Sequence, residues 1–243
     1  SVLLLVAAWD ALARQLGPLV LPTPQETLAS LTQILRSPAA WLDLGATARR
    51  ALYGYGLSVL AGAVLGMAAG ASITATMMAR PLVTLLIGMP PIAWLVLALL
   101  WFGSGDATPV FTVFVACFPI IFVGALQGTR TLDGRLRELA QAYRLPLTQR
   151  FADVYLPHIA SYLFAACITA LGVSWKVVLM AELLATSDGA GAQLAATRSH
   201  LDMGGTLAWV SAVVGLLLAA EYLLLEPIRR EMERWRGDGG GAA

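Results

Sequence analysis

The chain has 243 residues, 58% of them hydrophobic and 13% charged, with a mean hydropathy of +0.73 and a formal net charge of +1. That balance excludes a soluble domain of this length and reads as an all-α, polytopic membrane bundle. The two cysteines, Cys117 and Cys167, fall inside apolar stretches without disulfide or metal spacing, so they read as reduced packing residues.

About six membrane spans are predicted, each of roughly 20 apolar residues. The first begins at Ser1 with no methionine or basic leader, which predicts a native N-terminus further upstream, and it carries Asp10 and Arg14 as an i, i+4 pair. Next comes LPTPQETL. Thr23 is placed to cap a helix, Pro24 to take its first position and Glu26 to complete a capping box. Leu28, Leu31, Ile34 and Leu35 share one face of that helix, so it is expected to lie along the outer membrane surface, and residues 1–42 form a first unit with the span before it.

The second span, residues 51–73, has a small residue at every fourth position: Gly54, Ser58, Gly62, Gly66 and Gly70. Such a stripe predicts close approach of another helix. The third span, 81–102, holds Pro90 and Pro91 in its interior, and the fourth, 109–127, holds Pro119. Each proline removes a backbone hydrogen bond, which places these spans inside a bundle or beside a cavity.

Residues 138–157 form a charged interlude, ELAQAYRLPLTQRFADVYLP. Asp133 is a good N-cap, and Leu136, Leu139, Ala140 and Tyr143 recur at helical spacing on one face. Leu145 precedes Pro146 and so leaves the α region, ending the helix near Arg144; Pro157 suits the first turn of the next. A short amphipathic helix between spans either lies on the bilayer or docks into a groove of another protein.

The fifth span covers residues 159–185, the sixth 206–225, and the polar, glycine-rich segment 186–205 between them is expected outside. Arg80, Arg130, Arg135, Arg137, Arg144 and Arg150 fall in two loops, and Arg229, Arg230, Arg234 and Arg236 in a tail, 229–243. The positive-inside rule puts these regions, with both termini, in the cytoplasm. Trp9, Trp41, Trp101 and Trp235 lie near span ends as ordinary interfacial anchors, and His158, at a helix entrance, reads as an interfacial residue without catalytic partners.

Lys176, the only lysine, sits near the middle of the fifth span. A Walker-type phosphate loop cannot be built without a lysine outside the membrane, so nucleotide hydrolysis is expected in a separate subunit. No catalytic or metal-binding set is apparent, and nothing suggests a nucleic-acid partner. An ionised lysine there costs at least roughly 2.5 kcal/mol unless it meets a partner or a cavity. One reading pairs it with Glu182 or Glu221. Glu182 is awkward because six residues leave it roughly 120° away around the helix axis. The other reading has Lys176, beside Trp175, lining a path for a passing anion. An ion-coupled secondary transporter using Lys176 and Glu182 is the alternative; no inverted repeat of broken segments supports it.

The interlude resembles the cytoplasmic docking loop of permease subunits of binding-protein-dependent ABC importers, whose form is E-x-A-x-x-x-G, nine residues, an aliphatic residue, one more, then L-P. Glu138, Ala140, Val154, Leu156 and Pro157 stand at the matching positions, with Arg144 where the family has Gly. LPTPQETL, the stretch 90–103, AEL at 181–183 and GAG at 189–191 are similar to the nitrate, sulfonate and taurine branch. The resemblance implies a type I ABC importer transmembrane domain over 43–228, with its docking loop at 129–157, in a bacterial inner membrane. It implies a homodimer, two cytoplasmic ATPase subunits that bind ATP and Mg, and an external solute-binding protein. No cofactor is implied for this chain. Glu138, Leu139, Ala140, Tyr143, Arg144, Leu156 and Pro157 would meet the ATPase; Pro90, Trp94, Trp175, Lys176 and Glu182 would line the path. The expected solute is small and polar, an oxyanion or sulfonate-like anion.

Overall fold

The computed structural model describes residues 2–17, 20–131, 146, 149, 156–220 and 222–223. Nine α-helices and no strand occur among them: α1 (Val2–Leu16), α2 (Pro24–Arg36), α3 (Pro38–Gly70), α4 (Ile73–Gly88), α5 (Pro91–Phe102), α6 (Ala107–Arg130), α7 (Leu156–Ala185), α8 (Ala190–Ser199) and α9 (Met203–Ala220). The capping box of α2 forms as its sequence predicts. The Glu26 N–H donates to Thr23 Oγ1 at 3.2 Å, and the Thr23 N–H donates to Glu26 Oε2 at 2.9 Å. The apolar face of α2 is divided: Leu31 and Ile34 pack on a cluster with Leu44, Trp209 and Val213, while Leu28 and Leu35 stay exposed.

At the centre, α6 lies between α3 and α7. The glycine stripe of α3 makes this possible. A Cβ on Gly54 would sit 2.7 Å from the Val110 carbonyl oxygen, and one on Gly66 only 2.4 Å from that of Phe122. The Ser58 hydroxyl shares its proton between Gly54 O, at 2.8 Å, and Phe114 O of α6, at 3.0 Å. On the other side of α6, Gly124 and Gly128 admit Ala166 and Ile159 of α7. Val113, Cys117, Ile121, Leu171, Trp175 and Val178 fill the core between the three helices. Both cysteines are free, as expected. Replacing Gly66 by alanine is expected to lower the melting temperature of the detergent-solubilised protein, because the obstacle is a backbone carbonyl and cannot swing aside. Gly56→Ala has open space around it and should leave melting unchanged or raise it.

The expected span boundaries are corrected here. Residues 81–102 are not one straight helix: Pro81 lies inside α4, and α4 and α5 meet at a 92° bend. Two consecutive prolines explain the break. Met89, before Pro90, is extended (φ −80°, ψ 126°), as is Pro90 before Pro91 (φ −58°, ψ 142°), and Pro91 then opens α5. Segment 186–205, for which no helix was expected or excluded, contains α8. Among the described residues four helices are long and apolar enough to cross a membrane, five if the bent pair is one span. Six were expected, and the 15-residue α1 reaches only about 22 Å. The second predicted span starts earlier than residue 51 because α3 begins at Pro38, and Arg49 and Arg50 fall inside the helix.

Candidate functional site

Arg50 is the most heavily bonded side chain in the described structure. Three elements converge on it. On α3 itself, Thr47 precedes it by one turn and Asp43 by two. The α5–α6 turn brings Asp106, shaped by Gly103 (φ 71°) and Gly105 (φ 139°) and pinned to α7 by the Gly105 N–H donating to Ala185 O at 2.9 Å. The α7–α8 turn brings Asp188 and Gly189 (φ 98°) beside Glu182 of α7.

Every N–H of the Arg50 guanidinium is used. Nε donates to Asp106 Oδ1 at 2.7 Å; Nη1 donates to Glu182 Oε1 at 2.7 Å and to Asp188 O at 3.0 Å; Nη2 donates to Asp188 Oδ1 at 2.7 Å and to Asp106 Oδ1. Glu182 is equally engaged, its Oε2 accepting from Thr47 Oγ1 at 2.8 Å and the Gly191 N–H at 3.0 Å. Asp43 accepts from the Gly189 N–H at 2.8 Å and from Gln193 Nε2 at 2.9 Å. Arg49 adds a second cation on Asp106 at 2.6 Å. The Arg50 and Glu182 side chains are 2% and 0% exposed, against 53% and 56% for Asp106 and Asp188.

The glycines of the GAG segment owe their identity to this carboxylate. A Cβ on Gly189 would lie 2.5 Å from Glu182 Oε1, and one on Gly191 2.5 Å from Glu182 Cβ. AEL and GAG are thus two halves of one ion network that ties α3, the α5–α6 turn, α7 and α8 at a single end of the bundle. No solute can reach Glu182 without breaking it.

The residues singled out for a path separate accordingly. Glu182 lies in the network, and Trp175 is buried in the core at 2% exposure. Pro90 is exposed at the α4–α5 bend, and Trp94 is half-buried on α5. The indole N–H groups of Trp94 and Trp175 have no partner among the described residues. Lys176 is exposed and turned away from the core, two thirds of the way along α7 rather than at its middle. Among the described residues no carboxylate stands within ion-pair distance of it. Glu221 lies outside them, as do Glu138, Leu139, Ala140, Tyr143 and Arg144 of the docking loop. Leu156 and Pro157 open α7 and are exposed.

Lys176 does not stand alone on its helix face. His158, Tyr162, Ala165, Thr169, Gly172 and Lys176 follow one another at steps of three and four, so they form one stripe along α7. Tyr162, Ala165, Thr169 and Lys176 are exposed. At the end where α6 finishes and α7 begins, the stripe borders a groove of about 510 Å³ whose lining includes Gln127, His158, Ser161, Tyr162 and Thr169. Thr131 Oγ1 lies 3.2 Å from His158 Nε2 across that end.

Residues 39–230 match the family described as the binding-protein-dependent transport system inner membrane component. The chain belongs to that family. This permease is similar to the taurine transport system permease protein of Escherichia coli (strain K12), 28% identical over 97% of this chain and 87% of the relative. It is 25% identical to an aliphatic sulfonates transport permease protein, so named as putative, of Bacillus subtilis (strain 168), over 98% of this chain and 86% of the relative. A nitrate import permease protein of Leptolyngbya laminosa is 27% identical over 61% of this chain and 53% of the relative. Glu182 is bound to Arg50, so the secondary-transport alternative loses the carboxylate it required. Arg50, Asp43, Asp106 and Asp188 were missed in the sequence. A signal was present, since an arginine on an apolar helix demands a partner.

Proposed function

We propose that the permease forms, as a homodimer, the path by which a small anionic solute crosses a bacterial inner membrane, nitrate and sulfonates being the solutes that its relatives' names suggest. Two cytoplasmic ATPase subunits, binding ATP and Mg, drive it through the 129–157 loop, and an external binding protein delivers the solute. The carrying observation is the exposed stripe of α7 with its one cation, Lys176. An ammonium facing lipid would cost at least roughly 2.5 kcal/mol, so this face meets protein or water instead. Hydroxyl, imidazole and ammonium groups supply hydrogen-bond donors to an anion, and a path needs weak successive contacts rather than one strong site.

Reconstitution with the ATPase and binding protein in proteoliposomes tests this reading. ATP-dependent uptake of taurine, an alkanesulfonate or nitrate is the expected result; uptake confined to a cationic or uncharged solute would contradict it. Coupling has its own test. Ala140→Asp buries an unpaired charge where the docking loop meets the ATPase, and the partner should be lost on co-purification while membrane insertion survives. A variant that retains its ATPase and hydrolyses normally would mean that the amphipathic segment ending near Arg144 lies on the bilayer instead.

A further inference from the structure

A second groove, of about 450 Å³ and basic in character, opens between α4 and α6 at the end where the docking loop leaves the bundle. Arg80 of α4 and Arg130 of α6 both line it, with Thr84 and Gln127, and no carboxylate is part of its wall. All four of these side chains are exposed. Val83, Ile87, Phe122 and Leu126 supply apolar walls, which keep the local dielectric low and strengthen the field of the two guanidiniums. Among the described residues neither arginine has a carboxylate partner. Thr131 is occupied, since its Oγ1 donates to Gln127 O at 2.8 Å and contacts His158. Arg80, Arg130, Thr84 and the Gln127 amide remain as donors.

A plainer account covers only half of this. Arg130 stands in the last turn of α6, where a cation complements the helix dipole. Arg80 lies in the middle of α4 and has no such reason to be there. The positive-inside rule accounts for its side of the membrane and not for the groove it shares with Arg130, where two like charges repel and an oxyanion between them would relieve both. Gln127 and Val123 also line the α6–α7 groove at the foot of the Lys176 stripe, so the two grooves share a wall on α6.

We propose that the Arg80–Arg130 groove is an anion site, distinct from the Lys176 stripe, that takes the oxygens of a sulfonate, nitrate or phosphate group. Two sources carry that chemistry: the transported solute on leaving the stripe, and the phosphate of a lipid headgroup at the membrane surface. The first of these rests on the anion reading above; the second does not.

A thiol reporter separates them. Thr84→Cys is introduced into the permease in nanodiscs, with labelling of the parent protein, which carries Cys117 and Cys167, subtracted. It is reacted with a sulfonate-bearing and with a trimethylammonium-bearing methanethiosulfonate, each rate being divided by that of a free thiol in solution. The normalised ratio should favour the anionic reagent by roughly tenfold. Arg80→Gln and Arg130→Gln should each lower it part-way and together bring it near one; the single substitutions keep the result readable where the double variant fails to fold. In phosphatidylcholine discs, protection of the cysteine by taurine or nitrate assigns the site to the solute. Slow labelling that appears only in phosphatidylglycerol discs assigns it to the headgroup. A ratio unmoved by loss of both arginines, or no protection from taurine, nitrate or phosphatidylglycerol, overturns the site. Absent anion uptake with an intact, protectable ratio would defeat the transport reading and leave this site standing.

Discussion

Arg50→Met is expected to be the most damaging single substitution in the described structure, costing on the order of 3–5 kcal/mol. Glu182 would lose its cation, with 0% of its side chain exposed and only Thr47 and Gly191 as donors. Against a total stability of roughly 5–15 kcal/mol that loss is large. Asp106 and Asp188 would suffer less, being half exposed and able to hydrate. The asymmetry gives a sharper test than the single variant. Arg50→Met combined with Glu182→Gln removes the unpaired buried acid and keeps one oxygen to accept from Gly191 or Thr47, so the double variant should melt above Arg50→Met alone. Thermal melting in detergent reads both. Equal melting of Arg50→Met and the parent would show that the network carries little, and a double variant no better than the single would show that Glu182 is not what suffers.

The network also shows where the sequence could be read and where it could not. Local patterns were legible. The Thr23 and Glu26 box is set by three residues of spacing, and the small residues from Gly54 to Gly70 announce a close neighbour without naming α6. Ion pairing across 132 residues from Arg50 to Glu182 and 56 to Asp106 has no such periodicity. Starting the second span at residue 51 leaves Arg49 and Arg50 just outside it, although a helix continuing from Pro38 carries them inward. The α4–α5 bend was half legible: the proline pair was recognised as a break, but a straight span was drawn through it. α8 was hidden because glycines at 189 and 191 suggest a loop, whereas their role is to let the turn and first residues of α8 close over Glu182. The AEL and GAG segments, by contrast, drew notice to Glu182, Gly189 and Gly191 before their physical reason was visible.

Lys176→Met is expected to leave the complex assembled and its basal ATP hydrolysis intact while uptake of an anionic solute falls by roughly tenfold or more. The estimate follows from charge alone. Two unit charges 4 Å apart interact by about 4 kcal/mol at an effective dielectric of 20, and loss of even a third of that is a factor of ten. Methionine keeps the length and packs well against apolar neighbours, so the change isolates the ammonium. Folding should survive because the core face of α7 is unaltered: Ala170, Leu171, Trp175 and Val178 remain buried, and Lys176 points away from them. Lys176→Arg should restore much of the uptake, since the stripe needs a cation and not a particular donor geometry. Uptake unchanged in Lys176→Met would remove the lysine from the path. Collapse of the complex would identify it instead as a contact between the two copies, a role that Lys176→Arg should also upset, because a larger planar cation rarely fits a packed ammonium site.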